Sequence, residues 1–289
     1  MEDCCQSNTI QLLRDKFLSR KLIMIIVVLL YTAPLFAQFD FPAMGGTSAA
    51  MGGASVALPD DESALHNIAG LSWKSDVTLM LSVRQTFVVE GLGYASAGFA
   101  LPLTFGTCAA SVVHYGNSDY NEQMASVCYA MPIGERISLG AAFHYLHSGT
   151  SDPYYSPINR FTFSVALQYK DGDDLMVGFK AYNPIAVFSE DNSPLRIPAV
   201  FNMGVSYRLL PDFMAVVEAE KNLYAKPTLK VGLSYLFHEY YAFRIGVNTQ
   251  PVVYSFGFGL NRSHFGADLA MQIHNILGMM PQVSLHYSF

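Results

Sequence analysis

A serine facing a histidine is the usual core of a nucleophilic acyl-transfer site. Three histidines, His114, His144 and His264, stand where a serine on a neighbouring strand or rim could meet them. No G-x-S-x-G nucleophile turn occurs in the chain. His144 and His147 are three positions apart, which on a strand points them to opposite faces and leaves no natural metal pair. Asp60, Asp61 and Glu62 have the ligand chemistry of a cation site, although a solvated turn or pairing with arginines is the commoner use of such a run. His66 close by is expected to hydrogen-bond within its own segment. No catalytic residue, cofactor or metal site is expected, and the chain reads as a non-enzyme.

These residues sit in a chain dominated by alternation. In one segment Ile137, Leu139, Ala141, Phe143 and Tyr145 alternate with Arg136, Ser138, Gly140, Ala142 and His144. In another, Phe161, Phe163, Val165, Leu167 and Tyr169 alternate with Thr162, Ser164, Ala166, Gln168 and Lys170. The pattern recurs over Ile197–Tyr207, Leu229–Tyr235, Tyr241–Val247, Val252–Leu260 and, at the very end, Val283, Leu285, Tyr287 and Phe289. An apolar residue at every second position gives a strand one apolar face. The chain parses into about fourteen such strands of roughly nine to twelve residues, the length a tilted strand needs to cross a bilayer.

The opposite face decides the architecture. It carries Gly, Ser, Ala and Asn with scattered Arg and Lys, whereas the solvent face of a soluble sandwich is rich in Lys, Glu and Asp. Small polar residues suit the crowded, wet interior of a closed barrel. Composition agrees: 51% of the 289 residues are hydrophobic and 14% charged, against about 25% charged in soluble domains. Mean hydropathy is +0.25. The fold expected is an all-β transmembrane antiparallel barrel of about 14 strands. Arg84, Arg136, Lys170, Lys180, Arg208, Lys230 and Arg244 share the inward phase, with Glu218 and Glu220 as partners. Lys or Arg on the lipid face costs roughly 2–4 kcal/mol at the midplane, so inward placement is forced. The lumenal charges Arg84, Arg136, Arg208 and Arg244 are expected to brace whatever fills the lumen. A net charge of −6 without a basic cluster past the N-terminus excludes a nucleic-acid partner.

Arg14, Lys16, Arg20 and Lys21 precede an apolar run, Leu22 to Leu30, too short to span a membrane comfortably, and Ala33-Pro34-Leu35-Phe36-Ala37 offers a cleavage site. Residues 1–37 are expected to be a signal peptide, 38–74 a hatch inside the lumen, and 75–289 the barrel. A hairpin turning near Ser118 sets Cys108 opposite Cys128. That leaves open both a cross-strand disulfide and two small apolar residues on facing strands. Short connections (Pro102-Leu103, Pro132-Gly134, Asp171-Asp173, Leu210-Pro211, His238-Glu239, Asn261-Arg262) alternate with longer ones at 116–121, 148–159, 183–195 and 272–280. Short periplasmic turns and long outer loops would place both termini in the periplasm, in the outer membrane of a Gram-negative bacterium. Aromatic residues near strand ends, among them Tyr145, Tyr169, Tyr207, Tyr235 and Phe289, suit interfacial girdles.

Between leader and first strand lies a segment rich in Gly and Ala and without alternation. It contains Met51-Gly52-Gly53-Ala54, Val56-Ala57, Asp60-Asp61 and Asn67-Ile68-Ala69-Gly70-Leu71. This run resembles the N-terminal segment of the FadL/OMPP1 superfamily of outer-membrane barrels, and most of all its PorV/PorQ-type branch. There an MGGA-x-VA stretch and an acidic pair precede an NPAGL motif. The resemblance implies a fourteen-stranded barrel with a lumenal hatch, in which Gly52, Gly53, Asp60, Asp61, Asn67, Ala69 and Gly70 carry the hatch motif. Ile68 stands where that family has proline, so the hatch turn is expected to differ locally. The mature chain is also short for the superfamily.

The PorV-like branch implies an accessory barrel in secretion or surface assembly, partnered by another outer-membrane protein or secreted cargo. Tyr154, Tyr155, Ile185, Val187 and Phe188 of the long loops would carry those contacts. The superfamily at large implies the alternative, passive transport of hydrophobic small molecules. In either case the chain meets outer-membrane lipid, and Tyr287 and Phe289 resemble the C-terminal signal read by the insertion machinery.

Overall fold

The computed structural model describes residues 39, 41–42, 44–188 and 197–289; the expected signal peptide lies outside them. The alternating segments form fourteen strands: β1 (Thr78–Gln85), β2 (Gly93–Leu103), β3 (Gly106–Gly116), β4 (Tyr120–Ile133), β5 (Ile137–Thr150), β6 (Ile158–Asp171), β7 (Leu175–Tyr182), β8 (Val200–Leu210), β9 (Phe213–Asn222), β10 (Thr228–Phe237), β11 (Tyr241–Thr249), β12 (Val252–Arg262), β13 (Phe265–His274) and β14 (Gly278–Ser288). Each pairs antiparallel with its neighbours, and β14 returns to β1 in register Thr78↔Ser288 to Arg84↔Gln282. Closure leaves no sheet edge, the condition for strands to stand in lipid.

The two faces differ as their chemistry requires. Outward positions such as Val83, Val127, Phe143, Phe161, Met203 and Leu269 are exposed around the whole circumference. Soluble monomers rarely expose contiguous apolar patches beyond a few hundred Å², so this belt is a lipid-facing surface. Cross-strand aromatic pairs knit it, as where Phe161 meets Phe143 at 5.6 Å and Tyr145 at 5.3 Å. Inward positions carry buried serines on strand after strand, among them Ser82, Ser96, Ser111, Ser126, Ser164 and Ser206.

Several sequence expectations shift in detail. The connection expected across 272–280 is only residues 275–277, because the alternation of β13 and β14 runs through it. The β11–β12 turn is likewise only Gln250 and Pro251, so the length contrast between the two ends is carried by β1–β2, β5–β6 and β7–β8. Strand β8 begins at Val200, after Ile197 and Ala199. The starts of β1 and β3 and the end of β14 share the short-turn rim, but the chain's path to β1 begins with Phe39 in the other half of the lumen.

The β3–β4 hairpin also settles the cysteines. Asn117 donates its N–H to the Tyr120 carbonyl (2.9 Å), closing a four-residue loop centred between Ser118 and Asp119. Cys108 therefore pairs with Tyr129, and Cys128 with Ala109. A one-residue offset turns the thiols to opposite faces of the wall, and both are free. Oxidation of the purified protein is expected to leave its gel mobility unchanged without reductant; a shift abolished by Cys108→Ser would contradict this register.

Candidate functional site

The hatch descends through the lumen from Phe39 to Trp73. Its first element, α1 (Gly46–Ala50), is too short to hold itself together, since helix nucleation costs more than one turn returns. Tertiary groups do so instead. Gly46 N–H donates to Glu62 Oε1 (3.1 Å) and to Ser284 Oγ of β14 (2.9 Å), and Thr47 N–H to Glu62 Oε2 (3.3 Å). Gly52 and Gly53 follow with φ of 73° and 83°, a left-handed turn that side chains resist. Asn67 then ties the two ends of the hatch. Its Oδ1 accepts the Ala69 N–H (3.2 Å), opening a 3-10 helix over Ile68–Trp73, while its Nδ2 donates to the Val56 carbonyl. Ala69 is fully buried against β5, and Gly70 packs on Ser63. At Ile68 the backbone has a geometry that proline would also fit. Asn67 is extended, as a residue before proline must be, and Ile68 is the first helical residue, where proline is tolerated.

The acidic run does not act as one cation site. Asp60 accepts from His66 at 2.7 Å, Asp61 pairs with Lys74 at 2.9 Å and faces His286 at 3.4 Å, and Glu62 caps α1. Among the described residues no three His, Cys, Asp or Glu side chains are grouped to hold a metal ion. Burial alone would lift Asp60, but His66 and then Lys74 carry its carboxyl below the ordinary value. Glu62 moves the other way: burial, then the nearby Asp60 and Asp268, push it up to about 8 from 4.5.

Between about 4.5 and about 8 the seated Glu62 keeps a proton that a released hatch gives up. Seating therefore weakens as pH rises across that window and levels off above it. Trp73, the chain's single tryptophan, donates its indole N–H to Gln168 Oε1 (3.0 Å) and reports on the seat. Its emission is expected to shift towards that of a solvated indole between pH 5 and pH 8.5, and Glu62→Gln to flatten the shift. A flat wild-type profile would contradict the assignment.

The wall grips the hatch through buried polar groups. Glu218 of β9 accepts the Ser55 and Val56 N–H groups on Oε2 (2.7 and 2.8 Å), and Asn202 Nδ2 (2.8 Å) and Lys230 Nζ (3.0 Å) on Oε1. Lys230 also donates to Glu220 Oε2 (2.8 Å) and to the Gly53 carbonyl (3.3 Å). Gln168, Ser206, Ser138 and Gln272 donate to the carbonyls of Val56, Ala57, Ala69 and Ala49 at 2.6–3.1 Å. Six wall glycines (Gly140, Gly178, Gly204, Gly232, Gly246 and Gly257) make room: a Cβ on any of them would meet a hatch atom far inside contact distance. In the sequence these are small lumenal residues like the others of the inward phase, and nothing local marks them as a mould.

The expected lumenal arginines divide. Arg244 forms a buried ion pair with Asp268, and Arg84 lies in the outer half of the lumen. Arg136 instead sits in the β4–β5 turn, exposed and 3.3 Å from Asp171, and Arg208 lies exposed at the end of β8. Both lie at the short-turn rim, where water hydrates a cation and burial no longer demands a lumenal partner. Tyr287 and Phe289 sit together at the short-turn rim, 4.8 Å between rings, and Phe289 N–H donates to the Val77 carbonyl (2.8 Å).

Above the hatch, on the long-loop side, lies a cavity of about 350 Å³. Phe41, Leu65 and Ile68 form its apolar floor, with Val113 and Met124 on the wall. Arg84 and Lys180 bring cationic ends to it. Arg84 spans to Met280 Sδ (3.3 Å), and its buried Nε has no hydrogen-bond partner among the described residues. His144 also lines it, but its Nδ1 meets Ser126 Oγ (2.7 Å) and its Nε2 meets Ser164 Oγ (2.9 Å). With a serine on each nitrogen, no carboxylate orients the ring as a triad requires. His114 points outward and His264 lies in an exposed turn.

A closed fourteen-stranded barrel, plugged in one half by its own N-terminal segment and hollow in the other, is the class this geometry defines. No sequence-family profile and no curated protein matches the chain. Solved structures of this fold do. The Ralstonia pickettii toluene transporter TbuX aligns at TM-score 0.64 and 12% identity, over 87% of this chain and 100% of its own. A Pseudomonas aeruginosa FadL homologue aligns at 0.66 and 12%, over 88% and 100%. The Pseudomonas putida toluene transporter TodX aligns at 0.63 and 11%, over 86% and 98%. The chain thus has the fold of the FadL-type barrels; these likenesses give no support to the PorV-type branch.

Proposed function

We propose that this chain is a passive conduit for small, largely apolar molecules in the outer membrane of a Gram-negative bacterium, with its short turns and C-terminus on the periplasmic side. The observation that carries this reading is the cavity of about 350 Å³ with an apolar floor made by the hatch itself. A ligand resting there touches the segment that must move for it to pass. The fold shared with two toluene transporters supports the same chemistry.

A second feature supports a sideways route. β6 starts at Ile158, but β7 ends at Tyr182 opposite Ser164, and Asn183 N–H adds one more bond to Phe163 (2.9 Å). Over 158–162 the β6 ladder has no β7 beside it, next to Tyr182 and Lys180 of the cavity wall. Uptake of radiolabelled toluene into cells lacking their own hydrocarbon channel is expected to rise several-fold on expression, with no rise for a sugar of similar size. Uptake equal to the empty-vector control would overturn the reading.

The accessory-protein reading rests on the exposed Tyr154, Tyr155 and Phe188 of the long loops. It predicts a stable complex in mild detergent, and an uncomplexed barrel would remove it.

A further inference from the structure

The long-loop mouth of the cavity holds an aromatic residue where strand geometry would not put one. Along β1, Met80, Ser82 and Arg84 face the lumen, while Leu81 and Val83 face lipid. Carried two residues past the strand, that alternation would turn Phe87 outward with Val83. Phe87 lines the cavity instead, because it and Val88 both take a φ of 55°. For a bulky or β-branched residue this conformation is rare and costly, and it gathers at ligand clamps and switches. Two hydrogen bonds hold the turn, Thr86 N–H to the Leu92 carbonyl (2.8 Å) and Val89 N–H to the Thr86 carbonyl (3.1 Å). The Phe87 ring meets His274 at the end of β13 edge-on, 5.8 Å between centroids at 85°. His274 lines the same cavity.

The His274 ring is itself held by the next turn. Ile276 and Leu277 both donate their N–H groups to its Nδ1 (3.1 Å each). A backbone N–H only donates, so Nδ1 keeps its lone pair and the ring proton sits on Nε2. Asn117 closes the β3–β4 loop in the same way, its Oδ1 accepting the Asp119 and Tyr120 N–H groups (2.9 and 3.1 Å). An amide carries no titration, whereas histidine changes charge between about pH 5 and pH 8. A proton added to Nδ1 would set one donor against two others. Of the elements beside His274, β1 brings Arg84 and the β1–β2 turn brings Glu90, while β12, the β11–β12 turn and β14 bring no charged group to this rim. His66 of the hatch shares the cavity but is paired with Asp60. Among the described residues no carboxylate lies within 4.0 Å of the His274 ring to hold a protonated form in place.

We propose that Phe87 is the outer gate of the cavity and that neutral His274 is its latch. Protonation of His274 releases the 275–277 turn, the ring loses its fixed position, and Phe87 leaves the mouth as the strain at 87 and 88 relaxes. Opening is favoured as pH falls. The seat of the hatch at Glu62 responds in the opposite direction, weakening as pH rises, so the two are told apart by sign. The word gate rests on the conduit reading above; the latch does not.

Nuclear magnetic resonance of the barrel in detergent micelles, with ¹⁵N-labelled histidine, tests the latch. At pH 8 the signal lost in His274→Asn is expected to show an unprotonated Nδ1 and a protonated Nε2; the other tautomer overturns the latch. Corrected for intrinsic exchange, the Ile276 and Leu277 amides are expected to exchange several-fold faster at pH 5.5 than at pH 8. His274→Asn keeps an acceptor that does not titrate, as Asn117 does, and should hold both amides at either pH. His274→Ala should free them at either pH. A wild-type exchange rate independent of pH overturns the latch. Uptake of radiolabelled toluene above the empty-vector control, in cells lacking their own hydrocarbon channel, tests the gate. It is expected to be several-fold greater at pH 5.5 than at pH 8, with no such difference in His274→Asn. Phe87→Ala should raise uptake at pH 8 to the pH 5.5 level. Uptake that is present but equal at the two pH values overturns the gate. No uptake at either pH, with the exchange behaviour as expected, removes the conduit reading and the gate with it, and leaves the latch standing.

Discussion

Glu218→Ala is expected to free the hatch while leaving the fourteen-stranded wall standing. The substitution strips two hatch N–H groups of their acceptor and leaves Lys230 buried with Glu220 alone. Removing one partner of a buried ion pair costs about 3–5 kcal/mol. Strand pairing of β9 with β8 and β10 is through the backbone and does not use this side chain. The loss therefore falls on docking and not on the barrel. Hydrogen exchange of the Ser55 and Val56 amides should accelerate by two to three orders of magnitude, each factor of ten being about 1.4 kcal/mol. The heat-dependent gel shift of a closed barrel should persist. Glu218→Gln separates the contributions, since it keeps an acceptor for the hatch and loses the charge facing Lys230. Unchanged amide protection in Glu218→Ala would mean that the hatch is held elsewhere.

The second large effect comes from adding atoms. In Gly178→Ala the new Cβ would lie on the Val56 carbonyl, and backbone cannot step aside as a flexible side chain can. The same substitution at Gly246 would strike the backbone joining Met51 and Gly52. Neither position has a left-handed φ, so strand geometry accepts alanine and the conflict is with the hatch alone. The double variant is expected to insert normally but to leave the lower lumen unfilled. In planar bilayers it should show steady ion conductance where the wild type is silent, and cells should become sensitive to large polar antibiotics. Gly93→Ala, whose nearest new contact is a flexible glutamine tip at 3.3 Å, serves as the control. Silence of the double variant, with the hatch still protected, would show that the wall yields instead.

The contrast between what could be read in advance and what could not has a physical basis. Ile137, Leu139, Ala141, Phe143 and Tyr145 announce a lipid-facing strand because periodicity is a local property, and lipid punishes every exception. Arg136 and Arg208 share the right phase yet sit at the rim, because phase tells which side a residue faces and not how deep it lies. Cys108 and Cys128 turn on a half-residue shift in where a loop is centred, finer than turn residues resolve. The docking of Val56 on Gly178 joins positions 122 apart (178 minus 56), and neither residue carries a mark of the other. His144 is legible as inward, but whether a serine or a carboxylate meets each ring nitrogen is decided by the register of three strands.

Gly46 of the hatch donates to Ser284 near the other end of the chain. The hatch also touches β5, β7, β8, β10, β11 and β12 through the wall glycines. Its binding surface is thus assembled from strands that are all made after it, and it is complete only when β14 has zipped onto β1. The segment that leaves the ribosome ahead of every strand is the last able to find its place. Until then its run of Ala, Met and Val must travel without a home. Biogenesis of this protein is therefore a matter of timing, in which the plug waits for the pipe.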